Sequence, residues 1–409
     1  MKKHCRFCAA ELNTTVVDLG VSPLANRILA PDQLDQMEPH YPLRAYICNE
    51  CKLVQLEAVE TPQNIFGDYS YFSSYAATWL EHCQRYAKTI IQDRRLGPSS
   101  LVVEIASNDG YLLQYFAKAG IPVLGIEPAA NVARAALETG IPTEVAFFGV
   151  ETAKRLAKAG HAADLMVANN VLAHVPDIND FVAGIPYVLK PDGVITIEFP
   201  HLANLIRQRQ FDTIYHEHFS YLSGAVVSRI FVRHGLKVFD IERIPTHGGS
   251  LRVYAGHRDN PKLVETARLR MLLEEERKEG LEDLTTYERF SREIFALKFS
   301  LLRTLVEEKQ AGKSIVGYGA PAKGNTLLNY CGIGPEFLDY TVDINPHKQG
   351  HYLPGTHIAI FSPERIRETR PDLIFILAWN LKDEISLSLS YAREWGARFL
   401  TAVPSIEIF

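Results

Sequence analysis

No apolar run in this 409-residue sequence is long enough to cross a bilayer, and none follows the opening MKKHCRFC. A membrane anchor and a secretory leader are therefore not expected. Neither sign of charge dominates: 43 Lys and Arg stand against 48 Asp and Glu, a formal net charge of -5. A broad nucleic-acid surface needs a basic excess that is missing here, although a local basic patch stays possible. Low-complexity tracts and short-period repeats are lacking as well. What remains is a globular composition, 47% hydrophobic, on a chain too long for one core. Two or three domains are expected, in a cytoplasmic protein with no membrane or nucleic-acid partner, expected to be a monomer.

Cysteine is scarce and unevenly placed. Cys5 and Cys8 form one CxxC pair, Cys48 and Cys51 a second, and Cys83 and Cys331 stand alone. Disulfides are rare in a reducing compartment, so two such pairs in one short segment read as a tetrahedral zinc site. Four thiolates leave no open position for a substrate, which makes the zinc structural. A pair of redox or disulfide dithiols is the alternative. Cys83 and Cys331 read as buried small hydrophobes.

Residues 1–66 form the zinc segment. Beyond it, "ATWLEHCQRYAKTIIQ" carries apolar residues at helical spacing. Then strand, tight turn and helix recur through "SSLVVEIASNDGYLLQYFAKAGI", "PVLGIEPAANVARAALETGI" and "ADLMVANNVLAHVPD". Strands alternating with helices imply a parallel sheet covered on both faces. That domain is expected over 67–255, followed by a helical connector over 256–312 whose charge runs read as solvated faces. A second, smaller doubly wound domain is expected over 313–409, opening with "KSIVGYGAPAKGNTLLNYCGI".

"VVEIASNDG" ends a hydrophobic strand with Glu104 and turns through Ala106, Asn108 and Asp109 to Gly110. Small residues at a strand's carboxyl end let backbone approach a ligand. The next strand ends at Glu127, 17 residues after Gly110, where a carboxylate can take both ribose hydroxyls of an adenosine. GxGxxG is absent, and no helix N-terminus is prepared for pyrophosphate. Glu104 and Asp109 would repel phosphate, yet they suit the sulfonium and amino group of S-adenosylmethionine. Charge therefore favours the methyl donor over a dinucleotide. An ordinary α/β turn does not account for three ordered strand-end signals.

"YHEHFSYLS", residues 215–223, crowds ionisable groups together. The zincin pattern HExxH is missing. In an extended strand His216 and His218 would share a face, with Glu217 on the other, but no third metal ligand is evident. A wet surface patch is possible, although the bordering aromatics suit a partly buried cleft. The third reading is an acid/base centre, because histidine has the right pKa for a base near neutrality. In "GYGAPAKGNT", Gly317, Gly319 and Gly324 free backbone amides and Lys323 brings positive charge, which together suit a diphosphate. NAD is the usual ligand of such a domain. Asp343 stands near the expected ribose position, but no hydride-transfer residue accompanies it. A vestigial nucleotide fold is a third possibility.

The four cysteines, "VVEIASNDGYLL", "GIEPAANVA", "NNVLAHVPD", "YHEHFSYLS" and "GYGAPAKGNT" follow one another in an order that resembles the NDP-4-keto-6-deoxysugar C-methyltransferase family. The nearest in kind is the C-3 enzyme of tetronitrose biosynthesis. The resemblance covers essentially the whole chain. It implies an α/β protein with an N-terminal zinc-binding domain, a central Rossmann-like methyltransferase domain dependent on S-adenosylmethionine, and a Rossmann-like C-terminal domain. It implies His218 as the base that makes an enolate beside the sugar ketone, with Glu217 and Tyr215 beside it. A tyrosine of "GDYSYFSSY" faces the sugar in that family: Tyr69 is the first choice and Tyr71 the second, with aromatic packing the rival for Tyr75. Asn170 and His174 fall on the acceptor side, and Asn169 on the donor side. Lys323, Gly319 and Asn325 would hold the sugar nucleotide, dTDP- or GDP-linked. Methylation at C-3 is expected, with C-5 methylation, sugar O-methylation or a non-catalytic zinc-containing module as alternatives.

Overall fold

The structure, a computed structural model, describes residues 3–61, 73–75 and 77–409. Its contacts group the chain into two units. One comprises the N-terminal residues through Leu12, Cys48–His201 and Phe219–Leu281. The other comprises Asn13–Ile47, Leu202–His218 and Glu282–Phe409. The units are therefore discontinuous in sequence: residues 13–47, between the cysteine pairs, and residues 202–218 group with the C-terminal part. Among the described residues no helix is long and apolar enough to cross a membrane.

The first unit is built on seven strands: β1 (Val102–Ile105), β2 (Val123–Ile126), β3 (Thr143–Glu144), β4 (Ala163–Asn169), β5 (Leu189–Pro200), β6 (Leu236–Ile244) and β7 (Ser250–His257). Their order across the sheet is β3-β2-β1-β4-β5-β7-β6. β1 to β5 run parallel, and β7 lies antiparallel between β5 and β6. Parallel neighbours need crossover segments, and helices Leu113–Lys118, Ala130–Glu138 and Val150–Lys158 supply them. With both faces covered, β1 is buried at every residue, Val102, Val103 and Ile105 as apolar side chains and Glu104 as the one carboxylate among them. The helix expected from the apolar spacing forms over Ala77–Arg94. It packs Cys83, Tyr86 and Ile90 with Leu113 and Phe116, which places Cys83 in the core as expected. Burying a side chain the size of Phe116 contributes about 1.5–3 kcal/mol.

Strand order reverses between β1 and β4. At such a switch point the crossovers diverge and leave a crevice beyond the strands' carboxyl ends. The residues that open it have left-handed backbone: Ala106 (φ 53°), Asn108 (φ 49°) and Gly110 (φ 80°) after β1, and Asn170 (φ 56°) after β4. Non-glycine residues hold that conformation at a cost of order 1 kcal/mol or more, and such strain collects at ligand sites.

The second unit contains a six-stranded sheet: β8 (Ile315–Tyr318), β9 (Thr341–Val342), β10 (Ile360–Phe361), β11 (Leu373–Ile376), β12 (Arg398–Thr401) and β13 (Glu407–Ile408). The order is β10-β9-β8-β11-β12-β13, parallel except for the last pair. Helix Ala322–Cys331 follows β8, and the 27-residue helix Leu284–Gln310 precedes it. Cys331 is buried, as expected of a small hydrophobe. An antiparallel pair, Thr14–Ser22 with Tyr41–Ile47, belongs to this unit too.

The charge run of the connector is not a wholly solvated face. Glu276, on helix Ala267–Lys278, is buried. It accepts from His201 Nε2 at 2.8 Å and from the backbone N–H groups of Gly224 and Ala225 at 2.7 and 2.9 Å. Those amides are orphan donors at the start of helix Gly224–Arg233, and a carboxylate satisfies them.

Candidate active site

The zinc ligands assemble from two matching turns. Ala9 N–H donates to Cys5 O at 2.9 Å, and Lys52 N–H to Cys48 O at 3.0 Å. Ala9 (φ 63°) and Lys52 (φ 64°), each just after a CxxC, bend the chain back over the sulfurs. The Sγ atoms of Cys5, Cys8, Cys48 and Cys51 lie within 4.8 Å of one another. Gln55 Nε2 donates to Cys5 Sγ at 3.1 Å. The Cys51 thiol on Cys5 draws the Cys5 thiol down to about 4, and the same contact pushes Cys51 up. Four cysteine sulfurs gathered this closely are the donor set that zinc takes. Among the described residues this quartet is the one group of His, Cys, Asp and Glu able to hold a metal, so neither His216 nor His218 belongs to a metal site there.

At the switch point of the first unit, the Glu127 carboxylate accepts from Asn108 N–H at 3.0 Å and Ala129 N–H at 2.8 Å. Burial still raises its carboxyl. The side chains of Asn108 and Asp109 are held by the preceding segment: Ser73 N–H donates to Asn108 Oδ1 at 2.9 Å, and Ser74 N–H and Oγ–H donate to Asp109 Oδ2. Sequence reasoning missed both serines. Glu104 is fully buried. Burial holds its carboxyl well above the usual range, opposed by the Tyr111 hydroxyl, which favours the charged form without reaching hydrogen-bond geometry. The Asn169 amide is also buried, with no partner for either polar atom among the described residues. Orphaned buried groups at the ends of β1 and β4 are costly unless a ligand completes them. An acid and an amide there fit the ammonium and carboxylate of an amino-acid moiety. S-adenosylmethionine therefore fits the residues present.

Asn170 follows at the end of β4, its N–H donating to Glu198 O at 2.8 Å, and His174 lies half-buried in the short turn Leu172–His174. Beneath them is a network that sequence reasoning did not find. Glu198 on β5 stands opposite Arg252 on β7, which donates to it through Nε at 2.7 Å, and His82 Nε2 reaches the same carboxylate at 3.0 Å. These partners lower the Glu198 carboxyl despite its burial.

In the second unit "YHEH" is not extended. Tyr215 to His218 close a turn, with His218 N–H donating to Tyr215 O at 2.9 Å. The Tyr215 and His218 rings lie 4.0 Å apart between centroids. His218 Nδ1 stands 2.9 Å from Thr213 O. A carbonyl only accepts, so Nδ1 carries the proton and Nε2 keeps the basic lone pair. Glu217 turns elsewhere: it is buried, and Asn26 Nδ2 donates to both its oxygens. His216 is buried with Nε2 donating to Pro42 O at 3.2 Å, and burial lowers its pKa. Tyr69 and Tyr71 lie outside the described residues.

The glycine loop after β8 also departs from expectation. Gly317 and Gly319 N–H donate to Tyr340 O and Val342 O, and Ala320 N–H donates to Asp343 Oδ2, all at 2.7–2.8 Å. The expected free amides at 317 and 319 are thus used inside the fold, as is the Asp343 carboxylate. Glycine is needed at 317 because a Cβ would meet Thr341 Oγ1 at 2.7 Å, and at 319 because φ is +94°. What the loop offers an anion is Lys323. Its ammonium is bonded to Asn380 Oδ1 and lies 4.5 Å from the centre of the Trp379 ring. Burial brings it down to about 8, opposed by the charge of Asp212. Asn325 is buried, its Nδ2 donating to Ala25 O at 2.6 Å.

Three family profiles match successive stretches of the chain. Residues 5–66 match the family profile "Putative zinc binding domain", residues 79–241 "Methyltransferase domain", and residues 245–404 "C-methyltransferase C-terminal domain". C-methyltransferase NovU of Streptomyces niveus is 36% identical over 411 residues, covering 99% of this chain and 96% of that protein. A ubiquinone biosynthesis O-methyltransferase of Methylobacterium sp. (strain 4-46) is 34% identical over 107 residues, covering 24% of this chain and 42% of that protein. Among solved structures, magnesium protoporphyrin IX methyltransferase of Synechocystis PCC 6803 with bound SAH matches at a TM-score of 0.34 and 14% identity, over 47% of this chain and 90% of that one. An S-adenosylmethionine-dependent methyltransferase of Mesorhizobium loti matches at 0.34 and 15%, over 44% and 98%.

Proposed function

This chain belongs to the C-methyltransferase family and is an S-adenosylmethionine-dependent enzyme, and on that premise we propose that it methylates C-3 of a nucleotide-linked 4-keto-6-deoxysugar. Carbon beside a ketone becomes a nucleophile only after it loses a proton. His218 Nε2 takes that proton, and the enolate oxygen is stabilised by hydroxyl donors, Tyr215 and Tyr69 or Tyr71 among them. S-adenosylmethionine supplies an electrophilic methyl group on sulfur. The enolate carbon forms a bond to that methyl as the carbon–sulfur bond breaks, the sulfur keeping the electron pair as a neutral thioether. The proton remains on His218 until it passes to water.

Other residues bind and orient. Glu127 takes the donor's ribose, Glu104 and Asn169 its amino-acid end, and Ala106, Asn108, Asp109 and Gly110 form the surrounding turn. Asn170 and His174 serve the acceptor side. Lys323 holds the sugar nucleotide, dTDP- or GDP-linked, with Gly319 and Asn325 lining the loop beside it, and Glu217 braces the base turn. Zinc is structural. The functional divisions are 1–66, 67–255, 256–312 and 313–409, in a cytoplasmic monomer.

The observation that carries this reading is the hydrogen bond from His218 Nδ1 to Thr213 O, which puts the proton on Nδ1 and the basic lone pair on Nε2. The test is incubation with methyl-13C S-adenosylmethionine and dTDP- and GDP-linked 4-keto-6-deoxyhexoses. Carbon–carbon coupling at C-3 is expected. Coupling at C-5 would move the site across the ketone, label on oxygen would make it an O-methyltransferase, and no transfer to either substrate would overturn the substrate class.

A further inference from the structure

Asp212 is fully buried; its charge acts on Lys323, but neither the zinc quartet, the donor turn nor the base described above uses it. Its Oδ2 accepts from the Trp379 indole N–H at 2.7 Å, while its Oδ1 has no donor among the described residues. It sits in the one-turn helix Phe211–Thr213. So short a helix does not hold itself, because nucleation fixes several dihedrals for a single hydrogen bond. Its conformation is set by tertiary ties. Arg209 donates to Glu293 at 3.1 Å and to Pro404 O at 3.0 Å, and the Phe211 ring meets Tyr330 edge-on at 5.4 Å. The residue after Asp212 is Thr213, whose carbonyl accepts from His218 Nδ1.

We propose that Asp212 is a positioning residue for His218. Held by Trp379, it fixes the Phe211–Thr213 turn and so aims the Thr213 carbonyl at Nδ1, which keeps the basic lone pair on Nε2. The proposal rests on the reading of His218 as the base. A carboxylate suits the task because a charged acceptor makes a shorter and stronger bond to the indole than a neutral one. The sequence of contacts is local: Trp379 to Asp212, one peptide to Thr213, and one hydrogen bond to His218. It also explains why the partner that orients the base is a backbone carbonyl rather than the adjacent Glu217.

The test uses the full-length chain labelled with 15N-histidine, the His218 signal being identified by its loss in His218→Asn. The parent should show Nδ1 protonated. Asp212→Ala and Trp379→Phe should both move the signal toward Nε2 protonation. They should lower kcat for solvent exchange of the sugar's C-3 proton by about 10–100-fold, the range seen when outer partners of oriented histidines are removed. Asp212→Ala also removes the charge that acts on Lys323, so a change in KM is read apart from kcat and the tautomer. Asp212→Asn, which can still accept from the indole, should restore most of both signals. Should Asp212→Ala not fold, Trp379→Phe at a half-buried position carries the same test. Slow exchange with Nδ1 still protonated would overturn the proposal. A shifted tautomer with exchange at the parental rate would support the linkage from Asp212 to His218 and remove His218 as the base instead.

Discussion

Asn26 gives one amide nitrogen to both carboxylate oxygens of Glu217, at 2.8 Å each. The two residues are 191 positions apart; Glu217 is buried, while Asn26 is exposed. Burial pushes the Glu217 carboxyl up to about 7 even with the amide bound to it. The folded state therefore holds a proton that the unfolded chain, with an ordinary glutamate near pH 4.3, releases first. That contribution is present in full below the unfolded pKa and is lost as pH rises through about 7. The loss is on the order of 3 kcal/mol. Glu217→Gln should flatten this part of the profile and be more stable than the parent at pH 8. Urea unfolding at pH 5 and pH 8 checks it; a variant no more stable than the parent at pH 8 would mean that the carboxyl is not raised.

The cysteine quartet predicts one zinc per chain and a stability that depends on it. Binding energy at such a site is folding energy, since the unfolded chain has no preformed quartet. A strong chelator should lower Tm, and Cys48→Ser should lower both zinc content and Tm. The kcat of the fraction that stays folded should hold, because four thiolates leave the metal no substrate position. Metal analysis showing no zinc in protein prepared without chelator would sink this assignment.

Glu104 predicts a pH-dependent donor affinity. Its carboxyl is raised by burial, so the free enzyme keeps it protonated at pH values below that raised pKa. A bound ammonium and sulfonium favour the carboxylate. Binding S-adenosylmethionine should then release a proton, and affinity should rise with pH by up to about tenfold per unit below the free-enzyme pKa. Calorimetry in two buffers of different ionisation enthalpy measures the release. Glu104→Gln should abolish it. Equal proton release from parent and variant would show that another group titrates.

The parallel strands, the switch-point turn and the cysteine quartet were legible in the sequence because each depends on neighbours close along the chain. A buried parallel strand is apolar on both faces, and a CxxC turn places its own sulfurs. The base turn was harder to read. Extended backbone was the simplest geometry for "YHEHF", and Glu217 was the nearest carboxylate to His218. The structure turns the segment back on itself, sends Glu217 to Asn26 and gives His218 to Thr213. Asn26 lies too far along the chain for local pattern to reveal it. Glu276 misleads in a similar way, since a charged residue in a run of charges looks solvated until helix Gly224–Arg233 brings two amides to it. The glycines of "GYGAPAKGNT" looked like a phosphate cradle. Whether an amide is free depends on the neighbouring strand, and here that strand takes Gly317 and Gly319.

His218 carries the last prediction. If the enolate forms before the methyl group moves, deprotonation can be watched alone. With S-adenosylhomocysteine in place of the donor, the enzyme should exchange the sugar's C-3 proton with deuterated water. His218→Asn keeps similar bulk but removes the base, so exchange and methylation should fall together, by roughly 10²–10⁴-fold. KM for the sugar nucleotide should change little, since Lys323 remains to hold its diphosphate. Glu217→Gln should be milder, because Glu217 braces the turn through Asn26 and does not bond to His218 Nδ1. Loss of methylation with exchange intact would place His218 after the enolate, as a group that orients the sugar for transfer. Near-parental rates of both would move the base to His174 or to a tyrosine of "GDYSYFSSY", and leave the Tyr215–His218 turn as a bracket for the substrate.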